Sequence, residues 1–488
     1  MTADSSEAFV GQEQATGDPR WLWLPVCAWL ASLCCALTIT PTLDDWWAAT
    51  PLTRMDSTAF LPHVFWRPIE IALRFLVGAW PESFLWGMHS VVMVGHGLGA
   101  WFLVKLGLRF TRSRVLSSWL ATLFIISPAV MMAAWSLDSA NQTWSTACGL
   151  GALWYRLKEP DRVIGPWLLW CVCALFWKES GAAWFIAAPL MAEGLLSLDG
   201  RLERPRVSEA AKSIALGMVV LVGYFAVRSA LAADGMITAR EGRYALNWSL
   251  VTTGKHVVML LGAAWSTIET VSAISVMHRD LAVSVITGLL GLPLLAFALW
   301  HSRVRIRTVA FIFCMLGAGA LMGPHAIFGR VSEMHTHPLL AATLVIFGVI
   351  VDQAALKSTF AKVALGMWVL GALGATGHKY ATWLDTCRGA EQVRATLAAQ
   401  WEGPPVQKVC SVWRKDRPQG YGSFSAGHYE AAGSGRAVMA DWGWDPDFET
   451  VAVFNRERCP EPWTQAVIHF DEASGPTIER VGSAQAAP

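Results

Sequence analysis

The chain has 488 residues, 54% of them hydrophobic and 15% charged, with a formal net charge of +1 and a mean hydropathy of +0.40. A soluble domain carries about 25% charged residues, and apolar runs able to cross about 30 Å of hydrocarbon recur through the first three quarters, which excludes a soluble fold. The net charge says nothing about nucleic acid and no basic tract suggests it, so no nucleic-acid partner is expected.

Residues 1–20, "MTADSSEAFVGQEQATGDPR", are polar and acidic, without the basic region of a cleavable signal, and are expected to form a cytoplasmic tail. Apolar spans are predicted over 21–40, 84–107, 115–134, 140–156, 163–178, 181–197, 212–232, 281–300, 308–326, 338–354 and 361–378. Lys- and Arg-bearing connections, "KLGLRFTRSR", "YRLKEPDR", "RLERPR", "RVRIR" and "DQAALKSTFAK", all fall on the cytoplasmic side if the N-terminus does. That scheme holds only if 248–275 does not cross, so this stretch is read as a re-entrant or interfacial helical pair on the outer side. The expectation is an all-α polytopic membrane protein of about eleven helices in the cytoplasmic membrane, membrane domain 21–378, active face outward.

The first outer loop, 41–83, opens with "TPTLDDWWAAT". Asp44 and Asp45 can cap a helix start. As a dyad they can instead push their two pKa values apart, leaving one ionised as a base. Carboxylates beside a membrane tend to mark function. Farther on, "PIEIALRFLVGAW" (68–80) carries an apolar helical stripe, with Pro68 in the first turn and Glu70 paired with Arg74 on the other face. This predicts an interfacial helix.

"WSLDSANQTW" offers Asp138, Asn141 and Gln142 as hydrogen-bonding side chains, with Asp138 equally suited to cap a helix. "LFWKES" ends a span with Lys178 and Glu179, either a snorkelling lysine beside its counter-charge or a clamp for a lipid phosphate. The loop "GPHAIFGRVSEMHTHP" holds Arg330, Glu333, His335 and His337. On a strand the last three would share one face, a pattern that suggests a metal. Lys255, His256, His89 and His96 have ordinary readings as interface or satisfied intramembrane groups, although His89 lies near enough to the outer end to join a site.

Taken in order, the "DD" pair, Trp66-Arg67-Pro68 before an interfacial helix, the Lys178-Glu179 pair and a late "SEMHTHP" loop resemble the GT-C superfamily of polytopic glycosyltransferases. The likeness is greatest to bacterial relatives of the protein O-mannosyltransferases and of the transmembrane O-mannosyltransferases with TPR repeats. It extends in layout over about 20–380 and residue by residue over those short motifs alone. Histidines stand where the family has tyrosines, and no TPR-like repeats follow. The resemblance implies inverting transfer of a sugar from a polyprenyl-phosphate donor to an acceptor hydroxyl. Asp44 would be the base and Asp45 would orient it, with Lys178, Arg330 and Arg67 on the donor phosphate. Glu179, Asp138, Asn141, Glu333, His335 and His337 would line the sugar or acceptor pocket. Family members that need no metal are common, so no cofactor is expected. A lipid-linked-sugar transporter or flippase is the alternative, although no internal repeat supports it and the polar groups avoid the midplane. An oligosaccharide ligase or polymerase of another membrane fold is a third reading, disfavoured by the early acidic loop.

From 379 the composition turns polar, and a small extracytoplasmic α+β domain (379–488) is expected, with 380–401 helical and "VQKVCSVW", "ETVAVFN" and "TQAVIHF" as strands. Of the three cysteines there, Cys410 and Cys459 flank neighbouring strands and are expected to form a disulfide, leaving Cys387 as the odd thiol.

Overall fold

The computed structural model describes residues 19–39, 66–78, 84–111, 113–231, 249–265, 307–327, 331, 333–354, 359–400, 408–412, 449–453, 457, 459, 466–471 and 475–480. Its helices are α1 (Trp23–Leu37), α2 (Pro68–Gly78), α3 (Phe84–Phe110), α4 (Arg114–Ile126), α5 (Met131–Trp135), α6 (Ala140–Lys158), α7 (Pro166–Trp177), α8 (Trp184–Leu198), α9 (Val207–Leu231), α10 (Leu250–Trp265), α11 (Thr308–Ala326), α12 (Thr336–Ala354) and α13 (Thr359–Gln400). Short 3-10 turns join several of them, at Pro128–Val130, Leu137–Ser139, Glu179–Ala183 and Glu333–His335. Among the described residues five helical segments are long and apolar enough to cross a membrane, six if α4 and the segment Pro128–Trp135, bent by 54° at Ser127, count as one. The protein is a helical membrane protein.

Helix α6 fails the hydropathy test for a physical reason. Its first turns read "ANQTWST", yet Asn141, Gln142, Thr143, Ser145 and Thr146 are all buried. Neighbouring helices shield it from lipid, so it can carry polar groups that a peripheral helix could not. Around it the helices approach closely through small residues. A Cβ placed on Gly194 of α8 would lie 2.8 Å from the Ala310 carbonyl oxygen and 2.6 Å from Cys314 Sγ of α11. Small residues at such crossings let backbones meet where no hydrophobic drive exists between lipid-solvated helices. Gly194→Ala is expected to destabilise the fold by about 1–3 kcal/mol. Gly223→Ala, with nothing within 4 Å of the added atom, should leave the melting midpoint unchanged. Equal midpoints for the two variants in detergent unfolding would show that α8 and α11 do not pack this way.

One end of the bundle gathers the basic connections. Arg201 donates to the Arg109 carbonyl (2.8 Å), Arg307 to the Ser197 carbonyl (3.0 Å), and Arg206 to both Glu193 oxygens (2.9 and 3.0 Å) and to Asp161. Arg156, fully buried, faces the same Glu193 at 3.6 Å. Its bonds to Glu193 hold the Arg206 guanidinium above its ordinary pKa.

Helix α13 departs from expectation. The predicted span 361–378 and the predicted helix 380–401 form one continuous helix of 42 residues. After it, β1 (Lys408–Val412), β2 (Glu449–Val453), β3 (Ala466–Asp471) and β4 (Gly475–Arg480) form a sheet in the order β2-β1-β3-β4. β1 pairs parallel with β2 and β3, and β4 pairs antiparallel with β3. Three strands were expected; "GPTIER" carries too little alternation to announce the fourth. Cys410 and Cys459 are joined by a disulfide, and Cys387 is buried outside that pair.

Candidate functional site

The site lies at the end of the bundle opposite the arginine cluster. Pro68 starts α2, where its missing N–H costs nothing. The helix is amphipathic as expected, and Ile69, Leu73 and Val77 of its stripe pack against the protein, but the charged pair expected on the outer face is buried too. Phe75 and Leu76 are 52% and 61% exposed, while Glu70 and Arg74 are 3% and 4% exposed. Exposed Phe75 and Leu76 need no protein partner in lipid, so the charged pair can turn inward.

Inward, the charges form a connected chain. Glu70 Oε1 accepts from Arg74 Nη2 at 2.7 Å, and Glu70 Oε2 accepts from Asn141 Nδ2 at 3.1 Å. Arg67 Nη1 stands 3.6 Å from Glu70 Oε2, and its Nε donates to Glu179 Oε2 at 3.4 Å. Trp66, next to Arg67, stacks on Tyr224 of α9 with ring centroids 5.4 Å apart. The Arg67-Pro68 element and the Lys178-Glu179 pair, 112 positions apart from Arg67 to Glu179, therefore meet.

Lys178 and Glu179 owe their position to a break after α7. Lys178 is extended (φ −156°, ψ 138°), and the chain then turns back as a 3-10 helix. Gly181 sits so close to the end of α7 that a Cβ there would lie 2.3 Å from the Ala174 carbonyl oxygen. The turn needs that close approach, and with it Lys178 is buried to 7% exposure instead of reaching into water.

Histidines face Lys178 from three later elements. The rings of His325 (end of α11) and His335 stack in parallel, 3.9 Å between centroids and 13° between planes. His337 Nε2 lies 3.1 Å from His96 Nδ1, and His337 Nδ1 lies 2.9 Å from Thr146 Oγ1. His256 Nδ1 bonds the Ala326 carbonyl at 2.9 Å, which fixes α10 at this end, while Trp265 at its other end reaches Thr343 in α12. His89 Nε2 meets the Ile39 carbonyl at 3.2 Å. Burial, then the neighbouring His325, Lys178 and His256, hold the His335 pKa well below the usual 6.5.

The strand reading of "EMHTHP" is corrected. Glu333–His335 is a 3-10 turn and Thr336 begins α12, so the two histidines part: His335 goes to His325 and His337 to His96. Among the described residues no group of three or more metal-ligating side chains forms. A second correction concerns Asp138: Ser139, not Asp138, occupies the N-cap of α6. The side chains of Asp138 and Glu333, and all of Asp44, Asp45 and Arg330, lie outside the described residues.

Of the expected site residues, Arg67, Asn141, Glu179, Lys178, His335 and His337 are brought to this one end. Glu70, at the centre of the charge chain, was legible as the partner of Arg74 but not as a buried group. Nothing in the sequence pattern singles out His325 or Thr146. No protein-family model matches the chain, and no curated protein matches it.

Proposed function

We propose that this protein is a polytopic glycosyltransferase that moves a sugar, with inversion, from a polyprenyl-phosphate donor to an acceptor hydroxyl on the outer face of the cytoplasmic membrane. In this reading about eleven helices span, the N-terminus is cytoplasmic, and 379–488 is an extracytoplasmic α+β domain. Asp44 takes the acceptor proton and Asp45 orients it. Lys178 and Arg330 hold the donor phosphate, while Arg67 is braced between Glu70 and Glu179 beside them.

The observation that carries the reading is the meeting of motifs far apart in the chain. Arg67, Glu179 and, through Glu70, Asn141 join at the end of the bundle to which α1 leads, so the loop with the acidic pair leaves from there. Arg67 and Arg74 meet Glu70 and Glu179 here, and Lys178, next to Glu179 in the chain, and Arg228, bonded to Tyr224, add further cations, an excess suited to an anionic leaving group. The gathering of Arg109, Arg156, Arg201, Arg206 and Arg307 at the opposite end supports the orientation.

The test is an assay of purified protein in nanodiscs against a panel of polyprenyl-phosphate sugars, with release of polyprenyl phosphate and the product anomer as readouts. Donor left intact with every acceptor, together with donor movement across proteoliposomes, would replace the transferase by the flippase. Within that assay Lys178→Ala should weaken donor use by tenfold or more, since a phosphate loses a charge-assisted contact worth about 1.5–3 kcal/mol. Lys105→Ala, which only removes an ammonium lying over Trp101 and Trp154, should change it little. Equal responses would show that Lys178 does not touch the donor.

A further inference from the structure

His325 is only 2% exposed, yet neither Nδ1 nor Nε2 has a hydrogen-bond partner among the described residues. Each nitrogen left dry costs about 1–3 kcal/mol, and a buried imidazole unsatisfied at both positions asks for a missing partner. Its surroundings restrict what that partner is. His335 stacks on it at 3.9 Å, and the Lys178 ammonium is near enough to oppose protonation of His335. A metal cation is a poor candidate, because Lys178 would repel it and no ligating trio exists among the described residues. An oxyanion suits the set: imidazole N–H groups and an ammonium are donors, and charge-assisted donors bind phosphate oxygens best.

We propose that His325, His335 and Lys178 form a binding site for a tetrahedral oxyanion of the phosphate class, and that the anion enters together with one proton taken from solvent onto the stacked imidazoles. The inference rests on the transferase reading only for the identity of the lipid that would carry the phosphate. In that reading the anion is the leaving group. Cleavage of the sugar C1–O bond leaves its electron pair on the phosphate oxygen, turning a singly charged diester into a doubly charged monoester. The proton on the imidazoles then offsets the charge that the phosphate gains.

The sign of the pH dependence follows from the groups around His335. Facing it are His325 from α11, His256 from α10 and Lys178 from the end of α7, while Lys255 stands beside His256 and His337 turns to His96. The packed segments Met131–Trp135 and Pro128–Val130 contribute no ionisable side chain. Every one of the described groups facing it is a base, so the ring is neutral in the empty site and the anion supplies the missing countercharge. Protons are bound on association, and affinity must rise as pH falls, by about tenfold per unit for one proton.

The experiment is calorimetric titration of the full-length protein in phosphatidylcholine nanodiscs, at pH 7.0 and 8.0, in two buffers of different ionisation heat. One arm uses inorganic sulfate, whose charge is constant in this range; the other uses farnesyl phosphate, read above its second pKa of about 6. The expected result is binding about tenfold tighter at pH 7.0, with uptake near one proton, and loss of that uptake in His335→Gln and His325→Gln. Sulfate binding assigns the site to free anions as well, and farnesyl phosphate alone assigns it to a lipid headgroup; both outcomes support the proposal. No binding in either arm, or wild-type binding that ignores pH, overturns it, and the wild-type result decides even if the variants fail to fold. Proton-linked binding without sugar transfer would sink the transferase and keep this site; transfer without proton-linked binding would do the reverse.

Discussion

Glu70→Gln is expected to lower the stability of the folded protein by about 3–5 kcal/mol, about two to four orders of magnitude in the folded-to-unfolded ratio. The carboxylate it removes accepts from Arg74 at 2.7 Å and from Asn141 at 3.1 Å, and stands 3.6 Å from Arg67. Arg74 is 4% exposed, so solvent cannot replace the lost countercharge. The cost comes from leaving a cation buried beside a neutral amide, not from the net worth of the pair. Glu70→Leu combined with Arg74→Met should therefore recover much of the loss, because an apolar pair of similar volume is often as stable as a buried ion pair. Glu159→Gln provides the contrast: its partner Arg162 is 64% exposed, and its midpoint should stay near wild type. Unfolding in detergent, followed through the tryptophans, reads all four proteins. A wild-type midpoint for Glu70→Gln would mean that α2 does not turn its charged face inward.

Asp44→Asn is expected to reduce sugar transfer by a hundredfold or more while expression and membrane insertion stay normal. That is the usual magnitude for loss of a general base, about 2.7 kcal/mol of transition-state stabilisation. Asp45→Asn should cost less, since it orients and does not accept the proton. Asp161→Asn, whose carboxylate pairs with Arg206 at the far end of the bundle, should leave transfer unchanged. Near-normal turnover in both Asp44→Asn and Asp45→Asn would remove the first outer loop from the chemistry.

Helices that report on their own surroundings were read closely. The span 308–326 coincides with α11, and Pro68 starts α2. Where the sequence misled, a property of the neighbours decided. The polar face of α2 would point to water on a soluble protein, and only the presence of lipid on the other side turns Glu70 inward. "EMHTHP" alternates like a strand, yet Pro338 within the first turn of α12 is compatible with a helix start, where its absent N–H is not needed. Between 361–378 and 380–401 no proline intervenes, and Gly377 alone does not break the helix. The meeting of Arg67 with Glu179 is invisible in one dimension, because two short motifs state nothing about the distance between them.

The length of α13 sets a further condition on whatever approaches this end of the protein. Its 42 residues amount to about 63 Å, twice the thickness of the hydrocarbon slab. Tyr380 touches Thr38 and Trp135, and Trp383 and Cys387 are buried in the bundle, so the rim is reached near these residues. Thirteen residues, Arg388 to Gln400, continue beyond, about 20 Å of stiff rod. The last strand, β4, packs against this helix, so the sheet rides on a stiff rod and does not sweep a volume as it would on a flexible tether.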